Sequence, residues 1–305
     1  LTRSSAASDV YKRQIPFYIF YSMFGFQRIA DQIWAAADSR ARGFLMGATA
    51  GRTTLNGEGL QHQDGHSLLI ASTVPSIRAW DPAYAYELAA IIKFGLQDMF
   101  VDQNDFMHYI MLYNDNEGQP PKPEGCDEGI IRGAYCLTAD EGFDGPLVRL
   151  LGSGPILKNV ISASELLQAR GIRTEVWSVT SYGELRREGL EADRRRRFEP
   201  KQNDVSYVEA CFGDGVPTVA ASDYICAVPD MIQKWMNGKY STLGTDGYGR
   251  SDTREALRQF FEIDPNNIVL ASVSVLEANG DLPDGSTTAL ADEFGLGERK
   301  TDVTS

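Results

Sequence analysis

Residues 51–67, GRTTLNGEGLQHQDGHS, separate two apolar runs at residues 44–50 and 68–73. The stretch contains four glycines, two histidines and two acidic residues. Glycine loses more backbone entropy on ordering than any other residue, so a chain keeps many glycines where φ must be positive or where another group approaches closely. The pattern therefore predicts a long loop between two buried strands.

The acidic and imidazole side chains of this loop favour acid–base chemistry, because neighbouring charges can shift one another's pKa towards neutrality. One alternative is a hairpin-like connection whose histidines only bind backbone groups. Another is a metal site, since Glu58, His62 and His66 are spaced by four residues. Glycines inside that interval disfavour the helix that such a site would need. We expect an active-site loop and assign no metal ligand.

The first half of the sequence alternates strand and helix patterns. The apolar residues predict strands at residues 17–22, 44–50, 68–73, 77–80 and 108–113, and a helix at residues 26–37. Asp81 and Pro82 are suited to the N-cap and first position of a further helix at residues 83–100. Such alternation indicates a mostly parallel sheet covered by helices.

A proline-rich segment at residues 114–124 is typical of a linker. Strand and helix patterns alternate again beyond it, beginning with a strand at residues 146–151. Residues 266–278 fit a last strand or helix, and the polar tail from Gly280 is expected to fray. The predicted fold class is α/β, with two three-layer α/β units.

Two short glycine motifs of the second half look functional but fit structural turns better. GSG at residues 152–154 lacks the third glycine of a dinucleotide-binding fingerprint and predicts a tight strand-to-helix turn. Gly213-Asp214-Gly215 is similar to a metal-binding motif, but Asn237 follows too early to complete it. We expect no metal there.

Two further segments have a binding interpretation. The glycine-rich residues 243–252 could hold an anion or a carboxylate at the start of the next helix, or Ser251 or Asp252 could simply cap that helix. Arg194 to Arg197 is a run of four cations. It predicts a solvated helix end, with contact to an acidic partner as the alternative.

Composition is that of an ordinary globular protein, with 43% hydrophobic and 23% charged residues among 305. The net charge of −13 disfavours nucleic acid and anionic membranes as partners. We expect no membrane span and no signal peptide, since no apolar run reaches about 20 residues. The four cysteines fit no zinc or disulfide pattern, which indicates reduced thiols in the cytoplasm.

The glycine-rich loop also carries a family resemblance, together with IPFYIFYSMFGFQRIADQIWAAA at residues 15–37 and DPAYAYELA at residues 81–89. These long words closely resemble the homodimeric-type pyruvate dehydrogenase, the decarboxylating, thiamine-diphosphate-dependent component of the pyruvate dehydrogenase complex. The resemblance extends from about Ile15 to about Phe294. The chain is far shorter than the family, and we expect a carboxy-terminal part of such an enzyme.

The resemblance implies a domain organisation. Residues 1–14 do not belong to the family and are interpreted as a non-native or unrelated leader. Residues 15–122 would be part of the pyrimidine-binding domain, and residues 123–305 the transketolase-like carboxy-terminal domain. The domain that binds the diphosphate and Mg²⁺, and the carboxylate that protonates the aminopyrimidine, would lie before Ile15. In the homodimer that domain would come from the other subunit.

The resemblance also implies roles for four residues. His62 would be the acid–base group, and Glu58 would tune it or contact the thiazolium side of the cofactor. Tyr21 and Phe24 would flank the aminopyrimidine ring, since aromatic side chains pack well against a flat heterocycle.

The implied reaction is decarboxylation of pyruvate and reductive acetylation of the lipoyl domain of the dihydrolipoyl acetyltransferase component, with thiamine diphosphate and Mg²⁺ as cofactors. It links glycolysis to acetyl-CoA within a cytoplasmic multienzyme complex. Another transketolase-like or 2-oxo acid thiamine enzyme is one alternative, and a non-catalytic docking or regulatory subunit is another. Because parts of the site would lie outside the chain, the isolated polypeptide is expected to be inactive.

Overall fold

Four parallel strands form the first sheet of the computed structural model, which describes residues 15–56, 60–116, 118–140, 142–199 and 204–297. The predicted leader and Glu58 lie outside the described residues. The first unit consists of β1 (Phe17–Tyr21), α1 (Ser22–Asp38), β2 (Gly43–Ala48), α2 (Ser67–Ala71), β3 (Ile77–Trp80), α3 (Ala85–Leu96), a π-helical turn (Gln97–Val101) and β4 (Met107–Met111).

The strand order β1-β2-β4-β3 places β2 and β4 in the centre of this sheet. All five residues of β4 are buried, as expected for a central parallel strand that is covered on both faces. β1 lies at the edge, and four of its five side chains are exposed.

The second sheet has five strands in the order β5-β7-β6-β8-β9, in which only β5 is antiparallel to its neighbour. This unit consists of α4 (Asp127–Arg132), β5 (Ala134–Thr138), β6 (Leu147–Gly152), α5 (Leu157–Gln168), β7 (Arg173–Val179), α6 (Tyr182–Phe198), α7 (Tyr207–Phe212), β8 (Thr218–Ala221), β9 (Tyr240–Leu243), α8 (Arg254–Phe260), α9 (Pro265–Asn279) and α10 (Ser286–Phe294). Short 3₁₀ helices at Gly154–Ile156 and Pro229–Trp235 complete it.

The two units share an apolar cluster. Buried side chains of β4, such as Tyr109 and Met111, belong to the same apolar cluster as Leu151 and Tyr224 of the second unit. Glu87 of α3 also crosses the boundary, because its carboxylate accepts hydrogen bonds from the hydroxyls of Tyr135 (2.7 Å) and Ser178 (2.7 Å). The contacts between the units are therefore both apolar and polar, and they are buried.

The strand predicted at residues 68–73 is wrong, since the helix α2 occupies Ser67–Ala71. The Asp64 carboxylate accepts hydrogen bonds from the backbone N–H groups of His66 (3.1 Å) and Ser67 (2.9 Å), so it satisfies donors at the start of the helix. A short apolar run is compatible with either a strand or a buried helix, and the polar group before it decides between them.

Two predicted helix starts are also wrong. α3 begins at Ala85 rather than after Asp81, because Glu87 binds the N–H groups before it, including that of Tyr84 at 3.1 Å. Thr253 caps α8 in place of Ser251 or Asp252, and its hydroxyl accepts from the N–H of Ala256 at 3.2 Å.

The tail beyond Gly280 is more ordered than predicted. It contains the helix α10, and its buried Leu290 packs into the apolar cluster that also holds buried residues of α9. The predicted fraying of this part of the tail is therefore wrong. Residues 298–305 lie outside the described residues.

The GSG motif forms the strand-to-helix turn that the sequence predicts, with β6 ending at Gly152. Gly154 has φ +47°, and a Cβ there would lie 2.5 Å from Asp81 Oδ1 and 2.8 Å from the Tyr113 hydroxyl. In the other glycine motif, the Asp214 carboxylate accepts two hydrogen bonds from the buried Arg149 guanidinium, at 2.8 and 2.6 Å. That carboxylate therefore neutralises a cation of the protein itself.

The close approach at Gly154 predicts a large effect of the substitution Gly154→Ala. The alanine would have to adopt a left-handed backbone conformation, and its Cβ would overlap two buried polar groups. We therefore expect a loss of about 2–4 kcal/mol in the free energy of unfolding. Gly171→Ala is the matched control, because Gly171 has φ +76° but open space around its Cβ position. It should cost about 1 kcal/mol. Equal losses in urea titrations of the two variants would contradict the role of close packing.

Candidate active site

The glycine-rich loop follows β2, and its first residues pack against the second unit. Its residues from Ala50 to Leu55 are all buried. Gly51 has φ +90°, and a Cβ there would overlap the carboxylate of Asp223, which follows β8. The first glycine of the loop is therefore required both by its backbone conformation and by the close approach of another residue.

Asp223 holds the loop through four hydrogen bonds. Its Oδ1 accepts from the N–H (2.8 Å) and the hydroxyl (2.7 Å) of Thr53, and its Oδ2 accepts from the N–H (3.2 Å) and the hydroxyl (2.7 Å) of Thr54. The guanidinium of Arg258 lies 3.4 Å from each of these hydroxyls. Burial raises the pKa of the Asp223 carboxyl, and the threonine hydrogen bonds oppose that shift.

The second glycine-rich segment, residues 243–252, is hydrogen-bonded to the loop at residues 51–67. Arg52 donates to the carbonyl oxygens of Thr245 (2.5 Å) and Gly247. Gln63 donates to the carbonyl oxygens of Leu55 (2.8 Å) and Arg250 (2.7 Å), and it accepts from the N–H of Arg250 (2.6 Å). The N–H of Arg250 therefore binds protein, and these contacts make the second segment a support for the first.

His66 joins the loop to α1. Its Nε2 lies 2.5 Å from the Gln27 side-chain nitrogen, and its Nδ1 lies 3.4 Å from the Arg52 guanidinium. Burial lowers the pKa of His66, and Arg52 lowers it further against the opposing effect of Asp64. These contacts favour a neutral imidazole that positions the loop.

His62 lies against Tyr21 and Phe24, the two aromatic residues to which the family resemblance assigns the aminopyrimidine contact. Its ring centroid is 5.5 Å from that of Tyr21 and 4.8 Å from that of Phe24, with both contacts edge-on. Tyr21 ends β1 and Phe24 lies in the first turn of α1, so both occur at the carboxyl end of a parallel strand. This is where open α/β sheets place their ligands. The Arg28 guanidinium lies over the ring of Phe24, 3.9 Å from its centroid.

The imidazole is not enclosed in the core. His62 is only partly buried, and 43% of Tyr21 is exposed. The predicted residues Tyr21, Phe24 and His62 thus form one accessible cluster, and the fourth, Glu58, lies outside the described residues.

The structure adds a buried acid that the sequence interpretation missed. Asp81 follows β3 and is 3% exposed, and its carboxylate accepts a hydrogen bond from the Tyr113 hydroxyl. Its backbone oxygen accepts from the N–H of Gly154 at 3.1 Å. Burial raises the pKa of Asp81 to about 7, although the hydrogen bond from Tyr113 opposes the shift. A polar residue directly after a buried strand was the available sequence signal, and the Asp-Pro pair was interpreted as a cap instead.

The described part of the chain contains no group of three or more histidine, cysteine or acidic side chains arranged to hold a metal ion. Within the same residues, no helix combines the length and the apolar character needed to cross a bilayer.

Comparison with known proteins identifies the family. The sequence is 51% identical over 290 residues to the pyruvate dehydrogenase E1 component of Pseudomonas aeruginosa, covering 94% of this chain and 33% of that protein. It is 46% identical over 284 residues to that of Mycolicibacterium smegmatis, with 92% and 30% covered, and 47% identical over 272 residues to that of Escherichia coli K12, with 88% and 30% covered. This chain belongs to the pyruvate dehydrogenase E1 component family. It spans about a third of the length of these relatives.

Two family descriptions match the chain. The pyruvate dehydrogenase E1 component middle domain matches residues 2–120, and the transketolase-like carboxy-terminal domain matches residues 133–264. The predicted division at residues 122 and 123 stays a prediction.

Solved structures show the same fold at low sequence identity. Transketolase from Leishmania mexicana has a TM-score of 0.67 at 19% identity, over 90% of this chain and 35% of that protein. Transketolase from Pichia stipitis in complex with sedoheptulose-7-phosphate has a TM-score of 0.66 at 18% identity, over 86% and 34%. A split-gene transketolase described as an inactive β4 tetramer has a TM-score of 0.62 at 15% identity, over 90% and 81%. The predicted transketolase-like α/β fold is confirmed.

The contacts of Asp223 predict that Asp223→Asn destabilises the protein. The new amide N–H groups would face the backbone N–H of Thr54, so at least that hydrogen bond is lost, and we expect a loss of about 1–3 kcal/mol in the free energy of unfolding. Hydrogen exchange of the Thr53 and Thr54 amides should quicken as well. Asp292→Asn on the exposed face of α10 is the control. Unchanged exchange at both threonines would contradict the bracing role.

The pKa of Asp81 predicts a pH-dependent stability. An unfolded aspartate titrates near pH 3.9, so between about pH 4 and pH 7 the folded chain holds a proton that the unfolded chain has lost. This contribution to stability is fully present below about pH 4 and decreases as the pH rises towards 7. Asp81→Asn should remove a slope of up to about 1.4 kcal/mol per pH unit in urea unfolding, while Asp292→Asn should keep it. Identical slopes for Asp81→Asn and the unsubstituted chain would contradict the assignment.

Proposed function

We propose that this chain is part of a thiamine-diphosphate-dependent pyruvate dehydrogenase. The enzyme decarboxylates pyruvate and passes the two-carbon unit to the lipoyl domain of an acyltransferase within a cytoplasmic multienzyme complex. One observation carries the proposal: His62 packs on Tyr21 and Phe24 in a chain of the pyruvate dehydrogenase E1 component family.

The residues present suit the flat ring of the cofactor. Tyr21 and Phe24 have their ring centroids 5.8 Å apart and inclined by 51°, and together they offer a partly exposed aromatic edge at the end of β1. Aromatic side chains stabilise a flat heterocycle by stacking and edge-on contact. We assign the aminopyrimidine contact to these two residues.

Thiamine diphosphate supplies, when bound, a nucleophilic carbon and an electron sink for the loss of carbon dioxide. His62 has the separate task of moving a proton at the substrate oxygen and, later, at the lipoyl sulfur. Proton transfer requires heavy atoms within about 2.6–3.2 Å of one another, so the loop that carries His62 must be held in a fixed position. The hydrogen bonds of Thr53, Thr54 and Gln63 hold the ends of the segment that carries the imidazole.

We assign the groups that bind the diphosphate and Mg²⁺ to protein outside this chain, which spans about a third of the length of its relatives. The exposed strand β1, with Phe17 46%, Tyr18 56% and Ile19 63% accessible, is the surface where we place that contact. A homodimer, in which the other subunit supplies the missing groups, accounts for both features.

The proposal predicts the behaviour of a chimera. Residues 15–294 of this chain would replace the matching third of the pyruvate dehydrogenase E1 component of Pseudomonas aeruginosa, which is 51% identical. We expect the chimera to reductively acetylate a purified lipoyl domain with pyruvate as substrate. His62→Ala should lower kcat by about 100-fold or more, because a positioned proton-transfer group contributes about 10²–10⁴.

Gln61→Ala is the matched control, since Gln61 is the exposed neighbour of His62. It should leave kcat within about twofold of the chimera, a factor equivalent to about 0.4 kcal/mol in the barrier.

Tyr21→Ala and Phe24→Ala should raise the cofactor concentration needed for half-maximal rate. The isolated chain should release no carbon dioxide from pyruvate with added cofactor and Mg²⁺. A folded chimera that retains full activity without the His62 imidazole would overturn the assignment.

A further inference from the structure

One face of α6 carries a stripe of cations. Arg186, Leu190, Arg194 and Arg197 follow one another at intervals of four, four and three residues, so they lie on the same side of the helix. They line one wall of a groove of about 500 Å³, and the opposite wall comes from the segment around Ser72 to Ala79. The groove lies outside the His62 cluster, and the proposed function does not use it.

The groove is positive although the chain has a net charge of −13. Four arginines and only two glutamates line it. Glu184 is already neutralised, because it binds Arg78 and also lies 3.1 Å from Arg187. Arg187 is held in turn by the carbonyl oxygens of Pro75 (2.9 Å) and Ile77 (2.7 Å).

The remaining arginines are available to a ligand. The side chains of Arg186 and Arg197 form no hydrogen bond or ion pair with any residue that the structure describes, and both are exposed. Arg194 forms a single ion pair within the described residues, an exposed contact with Glu191 at 3.6 Å, which competes weakly with an incoming carboxylate. Guanidinium groups bind carboxylates through paired, charge-assisted hydrogen bonds.

Apolar side chains stand between these cations. Leu190 is 39% exposed between Arg186 and Arg194, and Phe198 is 73% exposed at the end of the helix, with the Arg194 guanidinium 5.1 Å from its ring centroid. The stripe therefore offers apolar contacts beside its cations, which suits a ligand that carries both acidic and apolar side chains.

The spacing of the cations decides between a small anion and an extended one. At 1.5 Å per residue, Arg186 and Arg197 are about 16 Å apart along the helix axis. A small anion cannot bridge that distance, whereas about five residues of extended peptide can. We propose that this groove binds an extended acidic peptide segment of a partner protein, with carboxylates on Arg186, Arg194 and Arg197 and an apolar side chain on Leu190.

The test uses the purified chain and a fluorescein-labelled peptide, Glu-Asp-Leu-Asp-Glu-Phe, in fluorescence polarisation. We expect saturable binding that weakens as salt is raised, because exposed ion pairs are screened. The charge-reversal variant Arg186→Glu/Arg197→Glu should weaken binding at least tenfold. Neither side chain holds another part of the described structure, and unchanged circular dichroism and urea midpoints would show that the variant folds.

Lys93→Glu/Lys239→Glu is the matched control, because it changes the net charge equally at exposed positions outside the groove. It should alter the dissociation constant less than twofold. Leu190→Asp should also weaken binding, and the amide peptide Gln-Asn-Leu-Asn-Gln-Phe should not bind.

Three results would overturn the proposal. The first is absence of binding at millimolar peptide, and the second is equal weakening by the Lys93/Lys239 control. The third is equally tight binding of a single-stranded oligonucleotide or of inorganic phosphate through Arg186 and Arg197, since either would show a general anion site.

Discussion

The carboxylate of Asp223 is the contact on which the arrangement of the site depends. It accepts four hydrogen bonds from Thr53 and Thr54, residues that lie about 170 positions away in the sequence. A loop with four glycines has a large entropic cost of ordering, and one buried acid with its full set of donors offsets part of that cost. The loop belongs to the first unit by sequence, but it is held by the second.

This dependence explains how the imidazole that we propose as the acid–base group can lie on a loop. Sites on regular elements are more precise than sites on loops, because loops tend to move. Here both ends of the segment around His62 are tied, at Thr53 and Thr54 by Asp223 and at Gln63 by the second glycine-rich segment. The proposed cofactor face at Tyr21 and Phe24 is set by β1 and α1, so the loop is fixed relative to regular structure.

The sequence predicts the structural elements that are determined by residues close to one another in the chain. The strands β1, β2, β3 and β4 follow from their apolar runs, and the choice of His62, Tyr21 and Phe24 as site residues comes from the family resemblance. The strand expected at residues 68–73 failed because the capping carboxylate of Asp64, rather than the apolar run, decides that segment. The partnership of Asp223 with Thr53 carries no local signal, since only the packing of the two units brings them together.

The buried acids at the boundary between the units favour one specific docking of the two units. Asp223, Glu87 and Asp81 are all buried there, and their hydrogen bonds come from neutral groups: threonine, tyrosine and serine hydroxyls and backbone N–H. Burying a carboxylate among neutral donors costs desolvation free energy, as the raised pKa values of all three record. A misplaced docking of the units would remove the donors that cross the boundary, at a cost of about 1–3 kcal/mol for each acid. These donors are Thr53 and Thr54 for Asp223, and Tyr135 and Ser178 for Glu87. The boundary therefore favours one relative placement of the two units, and that placement is the one that orders the loop carrying His62.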